Sequence, residues 1–126
     1  MNTSQLITVA NALVEPGKGL LAADESGPTI AKRFREIDVD STEENRLAYR
    51  RLLFTTPEIE RYLSGIILFD ETIRQSASDG TPLPKILSDK GVIPGIKVDR
   101  GAKPLAGFGD EKVTEGLDGL RERLAE

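Results

Sequence analysis

Two carboxylates and a hydroxyl close an apolar run. Gly19-Leu20-Leu21-Ala22-Ala23 leads straight into Asp24, Glu25 and Ser26. Thr29 follows three residues later, then Lys32 and Arg33. A hydroxyl, the free N–H groups at the start of a helix and a nearby guanidinium are the parts of a phosphate site. The second unusual stretch is GIKVDRG, residues 95–101, which places Lys97 among aliphatic neighbours. A lysine inside a strand covered on both faces is costly unless it is paired. The protein has no histidine and no cysteine. Thiolate metal sites and disulfides are therefore excluded, and the commonest metal ligand and neutral-pH base are missing. Chemistry here must run on Asp, Glu, Lys, Arg, Ser, Thr and Tyr, and no metal or cofactor is expected.

Each feature has an ordinary alternative. An acid after a strand is also where a helix cap sits. Thr29 beside Pro28 suits a plain helix start with solvated basic residues after it. Lys97 either points into a strand-end cleft, toward Asp24 or a phosphate, or snorkels outward from an edge. Arg46 and Arg50 are one helical turn apart with Glu43 nearby, and a salt-bridged surface helix accounts for Arg50. GDEKVTEG, residues 109–116, reads as a solvated loop.

The elements that must position these residues alternate. GLLAAD (19–24), GIILFD (65–70) and VIPGIKVD (92–99) are short aliphatic runs without polar alternation, and each ends in aspartate. Such runs suit strands buried on both faces of a parallel sheet. Between them lie helical stripes: Leu6, Val9, Ala10 and Leu13, stopped by Pro16-Gly17; Ile30, Ala31, Phe34 and Ile37; and Leu47, Ala48, Leu52 and Leu53 behind a Ser41–Glu44 capping box. Pro84, Ile86 and Leu87 mark a shorter helix. Leu117, Leu120 and Leu124 mark a last one, weakened by Gly116 and Gly119. Strand starts at Leu20, Ile66 and Ile96 are 46 and 30 residues apart, and a (β/α)₈ barrel averages ~31 residues per unit. The expected fold is α/β: the first three βα units of a TIM barrel, incomplete in this chain. In such folds, function sits at the C-terminal ends of the strands, so Asp24 emerges at the mouth.

The 126 residues suit one modest domain, taken as residues 1–126. No repeat is found. The net charge of −4 argues against nucleic acid as a partner. No apolar run approaches a membrane span, and the N-terminus lacks a secretory pattern, so a cytoplasmic protein is expected. LRERLAE ends inside an amphipathic pattern, and three parallel strands leave two open edges. The sequence therefore reads as the first portion of something longer.

LLAADES, IAKR, STEENR, ILFDET, GIKVDRG, PLAG and GLDGL occur in this order. Together they resemble the N-terminal part of class I fructose-bisphosphate aldolase, over essentially the whole chain. The resemblance implies a (β/α)₈ barrel, usually a homotetramer, that cleaves fructose 1,6-bisphosphate through a Schiff base without metal in glycolysis. It implies that Asp24 is the active-site aspartate after the first strand and that Lys97 is an active-site lysine of the third. By the same resemblance Ser26, Thr29 and Arg33 lie at a substrate phosphate, and Arg46 belongs to substrate binding. Four positions depart from the pattern: Thr29 stands where a serine is usual, Gly27-Pro28 replaces Thr-Gly, and Asp70 stands where many relatives carry histidine. The family's Schiff-base lysine lies on a later strand, so this chain alone is expected to be inactive. The alternative is a non-catalytic fragment, or half of a split enzyme that a partner chain completes.

Overall fold

The computed structural model describes residues 2–125. Gly19–Ala23 (β1), Leu63–Leu68 (β2) and Ile93–Ile96 (β3) form a parallel sheet in that order, with β2 central. Helices Thr3–Leu13 (α1), Gly27–Arg35 (α2), Glu43–Phe54 (α3), Asp70–Ile73 (α4) and Leu83–Asp89 (α5) lie between or before the strands. This is the expected α/β alternation. The described chain divides into two compact units, one ending at Ile96 and the other beginning at Lys97.

The core of the first unit gathers around β2. Ile66 and Leu68 project from one face and pack with Ala23, Phe54, Ile59, Leu83, Leu87 and Val92. The strands are shorter than the apolar runs. β2 stops at Leu68 because Phe69 already occupies the cap position of α4. β3 stops at Ile96, so Lys97 follows the strand rather than sitting inside it. Nor are the runs buried throughout: Leu20 is 52% exposed on the edge strand. A bulge enters early, where Gly19 pairs with Leu63 but Leu20 pairs with Gly65. The skipped residue, Ser64, is buried, and its hydroxyl donates to the Leu13 carbonyl at 2.6 Å, with the Gly19 carbonyl 3.2 Å away. That bond ties the end of α1 to the sheet.

Several helical expectations need correction. Thr42 caps α3, accepting the Asn45 N–H at 3.2 Å; Ser41 lies one residue too early to do so. The buried stripe of α3 is Arg50 and Phe54, with Leu47 and Leu53 half-buried. Ala48 and Leu52 fall two residues from Arg50, on the far side of a 3.6-residue turn, and both are exposed. Ile30 and Phe34 anchor α2 as expected, but Ile37 lies beyond its end and is exposed. α1 has a capping box between Asn2 and Gln5, yet Leu6, Val9 and Ala10 are exposed and only Leu13 is half-buried.

In the second unit, Ala102–Pro104 (β4) and Lys112–Thr114 (β5) pair antiparallel, so the segment expected as a loop contains a strand. Val113, between two polar residues, was too short an alternation to signal it. The last helix, Leu120–Ala125 (α6), begins after Leu117. Gly116 and Gly119 have φ of +146° and +69°, which no α-helix contains, and they place the start.

Gly65 occupies the tightest point of the sheet. A Cβ there would lie 2.8 Å from Leu13 Cδ2 and 3.0 Å from both the Ile93 carbonyl oxygen and Leu20 Cδ2. Backbone on one side prevents easy relief. Gly65→Ala is expected to destabilise the protein by about 1–3 kcal/mol, read as a lower denaturation midpoint in urea.

Candidate active site at the strand ends

Asp24 is the first residue after β1 and is half-buried. Ser26 takes the cap position of α2, with Pro28 in the first turn setting the backbone for helix entry. The Ser26 side chain does not bond to the helix backbone. Its hydroxyl instead lies 3.1 Å from that of Thr29. The two hydroxyls expected at a phosphate are therefore neighbours beside a helix N-terminus.

Glu25 organises the corner. One carboxylate oxygen accepts from Nη1 of Arg33 and the other from Nη1 of Arg50. The Tyr49 hydroxyl lies 3.4 Å from the first oxygen, and Nη2 of Arg50 donates to the Glu25 carbonyl at 3.2 Å. The Arg50 side chain is 2% exposed and that of Glu25 8%, whereas Arg33 is 57% exposed. Burial pushes the Glu25 carboxyl up, but the Arg50 hydrogen bond, its backbone bond and the charges of Arg50 and Arg33 outweigh it. The carboxyl titrates below its ordinary range. Arg50 is thus no surface residue paired with Glu43. It lies three residues after Leu47 and four before Phe54, on the stripe that faces inward. Arg50 also lies 5.3 Å over the Tyr49 ring, whose edge meets Phe34 of α2 at 5.8 Å.

Arg46 sits one turn earlier and is fully engaged. Nε and Nη2 donate to the two oxygens of Glu71 at 2.7 and 2.6 Å, and Nη1 donates to the Ser41 carbonyl at 2.6 Å. The Arg46 hydrogen bond holds the Glu71 carboxyl below its usual range. Glu71, in α4 just past β2, carried no signal in sequence because its partner lies 25 residues away.

Lys97 opens the second unit. Its Nζ is 2.7 Å from Asp99 Oδ2, and Asp99 Oδ1 accepts the Gly101 N–H at 2.9 Å. The Lys97 hydrogen bond lowers the Asp99 carboxyl. Asp24 belongs to the first unit and Lys97 to the second. Within the first, Ser26 and Thr29 are neighbours, Arg33 is tied to Glu25, and Arg46 is tied to Glu71.

Removing Glu25 strands a buried guanidinium. Glu25→Ala is expected to cost about 3–5 kcal/mol, measured by chemical denaturation. Acid acts on the same bond. Glu25 and Glu71 both titrate below 4.5 when folded, so their contribution is complete above that pH and lost as pH falls through the lowered values. Thermal melts below pH 4.5 should drop, and more gently in Glu25→Gln.

A family model described as fructose-bisphosphate aldolase class-I, glycolytic, matches residues 5–126. The chain is similar to a probable fructose-bisphosphate aldolase class 1 of Xanthomonas campestris, 61% identical over 126 residues, covering 100% of this chain and 38% of that protein. A fructose-bisphosphate aldolase of Drosophila melanogaster is 55% identical over 123 residues, 97% of this chain and 34% of its own length. A solved aldolase of Plasmodium falciparum, crystallised with TRAP and a small-molecule inhibitor, superposes with a TM-score of 0.91 at 49% identity, covering 95% of this chain and 35% of that one. The three parallel strands and their helices are thus an incomplete portion of a larger fold, and the chain spans little more than a third of the relatives it matches. It belongs to the class I fructose-bisphosphate aldolase family.

Proposed function

We propose that this chain supplies the N-terminal part of an active site for Schiff-base cleavage of fructose 1,6-bisphosphate into two triose phosphates, within a (β/α)₈ barrel working in cytoplasmic glycolysis. The observation that carries the reading is the position of Asp24. In a chain of this family, it leaves the C-terminal end of a parallel strand, with Ser26, Thr29 and Arg33 in the turn and helix that follow. Asp24 is assigned to substrate positioning and proton transfer, and Lys97 to balancing substrate charge. Ser26, Thr29 and Arg33 are assigned to a phosphate. Arg33 suits that role because its side chain is 57% exposed. Arg46 is assigned to the substrate side of the cleft through the loop it braces with Glu71, since its Nε and both Nη atoms already hold protein oxygens.

The amine nucleophile of a Schiff base is assigned to the larger protein's later strands, as are the remaining phosphate groups and the homotetramer contacts. A lysine nucleophile, its acid–base partners and a phosphate clamp act as one unit, and losing one disables the rest. A second reading rests on the two edges of the sheet, β1 and β3, which among the described residues bond to a neighbouring strand on one side only: a separate chain completes the barrel.

The test uses these 126 residues grafted in place of the matching ones of the Xanthomonas campestris relative. The graft should cleave fructose 1,6-bisphosphate with or without EDTA. Asp24→Asn and Lys97→Met should each lower kcat/KM by about 100-fold or more, while the 126 residues alone should show no turnover. Full activity in either variant would remove that residue from the site.

A further inference from the structure

We infer that Glu25 is a positioning residue for substrate phosphate, acting by holding Arg33 in place. The inference rests on the phosphate assignment made above for Arg33. Three observations converge on it.

First, the grip on Arg33 is partial. Glu25 binds Nη1 alone. Nε and Nη2 have no partner among the described residues, and they form the edge of a guanidinium that engages an oxyanion in two parallel hydrogen bonds. A long side chain that is 57% exposed would otherwise sample many rotamers and lose that freedom on binding. Glu25 fixes one corner and leaves the Nε–Nη2 edge unengaged.

Second, Glu25 is itself immobile. Its other oxygen and its backbone carbonyl are both held by Arg50. Arg50 is buried, so releasing Glu25 would leave an uncompensated charge in the interior. The carboxylate cannot follow Arg33 outward; Arg33 must stay near it.

Third, the arrangement balances charge. Two guanidiniums share one carboxylate, so the Arg33–Glu25–Arg50 trio carries a net positive charge beside the Ser26 and Thr29 hydroxyls and the N-terminus of α2. Glu25 neutralises the buried arginine and leaves the exposed one's charge for a ligand.

The grafted enzyme described above is assayed as such and as Glu25→Gln, Arg33→Ala and their double variant. Glu25→Gln should raise KM for fructose 1,6-bisphosphate about tenfold, the worth of one charged hydrogen bond. It should leave kcat within about twofold, because the lost interaction is made equally in ground and transition states. The double variant should be no worse than Arg33→Ala alone, since both remove the same contact. Additive losses, or a fall in kcat at unchanged KM, would overturn the positioning role. An unchanged KM in Arg33→Ala would instead remove the phosphate assignment beneath it. Should Glu25→Gln unfold, Glu25→Gln with Arg50→Gln removes both buried charges. In that folded pair KM should stay raised, and a normal KM would overturn the inference. Affinity for inorganic phosphate, read by calorimetry, should follow the same order of variants and gives the answer without turnover.

Discussion

A guanidinium that is almost wholly inside the protein sets the terms for the residues around it. Arg50 cannot shed its charge at any ordinary pH, so wherever it is buried a carboxylate must be buried with it. Glu25 is that carboxylate. The pairing fixes the corner between β1 and α2 against α3, and the Phe34–Tyr49 edge contact and the Arg50–Tyr49 stacking close over it. The pair contributes little net stability over an apolar substitute, since desolvation offsets most of its attraction. Its effect is on geometry. A broken pair is far costlier than an intact one is favourable, so the corner has a single acceptable arrangement.

The same device appears twice. Arg46 and Arg50 lie one turn apart on α3, and each reaches an acid that follows a strand: Glu71 beyond β2 and Glu25 beyond β1. One helix thus stitches together the ends of two neighbouring strands through two arginines. Parallel strands bring their C-terminal ends to one edge of the sheet, but hydrogen bonding within the sheet does not fix the loops that leave it. Ionic struts from a packed helix do. Planar guanidiniums suit the task better than lysines, because Arg46 binds both Glu71 oxygens and a carbonyl at once.

Local patterns in the sequence were enough for the strands and helices but not for these struts. The aliphatic runs located β1, β2 and β3, and Pro16-Gly17 the end of α1, because burial and backbone restriction act on consecutive residues. The motifs around Asp24 and Lys97 carried the family. Arg50 was misread because a charged residue on an apolar stripe looks like a surface position until its counter-ion is known, and that counter-ion is 25 residues distant. Leu52 was misread for the complementary reason: it is apolar, yet the turn of α3 that buries Arg50 and Phe54 carries it to the opposite side. Composition assigns residues to inside and outside on average. A buried ion pair inverts the assignment at the places where geometry matters most.

The second unit shows what happens without such a centre. From Lys97 onward, no described residue is buried. Cohesion there comes from polar contacts: the β4–β5 ladder, the Lys97–Asp99–Gly101 chain, and Nη2 of Arg123, which donates to the carbonyls of Val98 and Gly116 at 2.9 and 3.2 Å. Gly116 is required there, since a Cβ would lie 2.5 Å from the Val98 oxygen. Val98, Phe108, Val113 and Leu117 remain exposed, Leu117 by 85%. Each net hydrogen bond contributes about 1 kcal/mol, while ordering a residue's backbone costs about 1–2. On that count the polar contacts of this unit do little more than offset the ordering they require. Its exposed apolar side chains add no burial to that balance, unlike those gathered around β2 in the first unit.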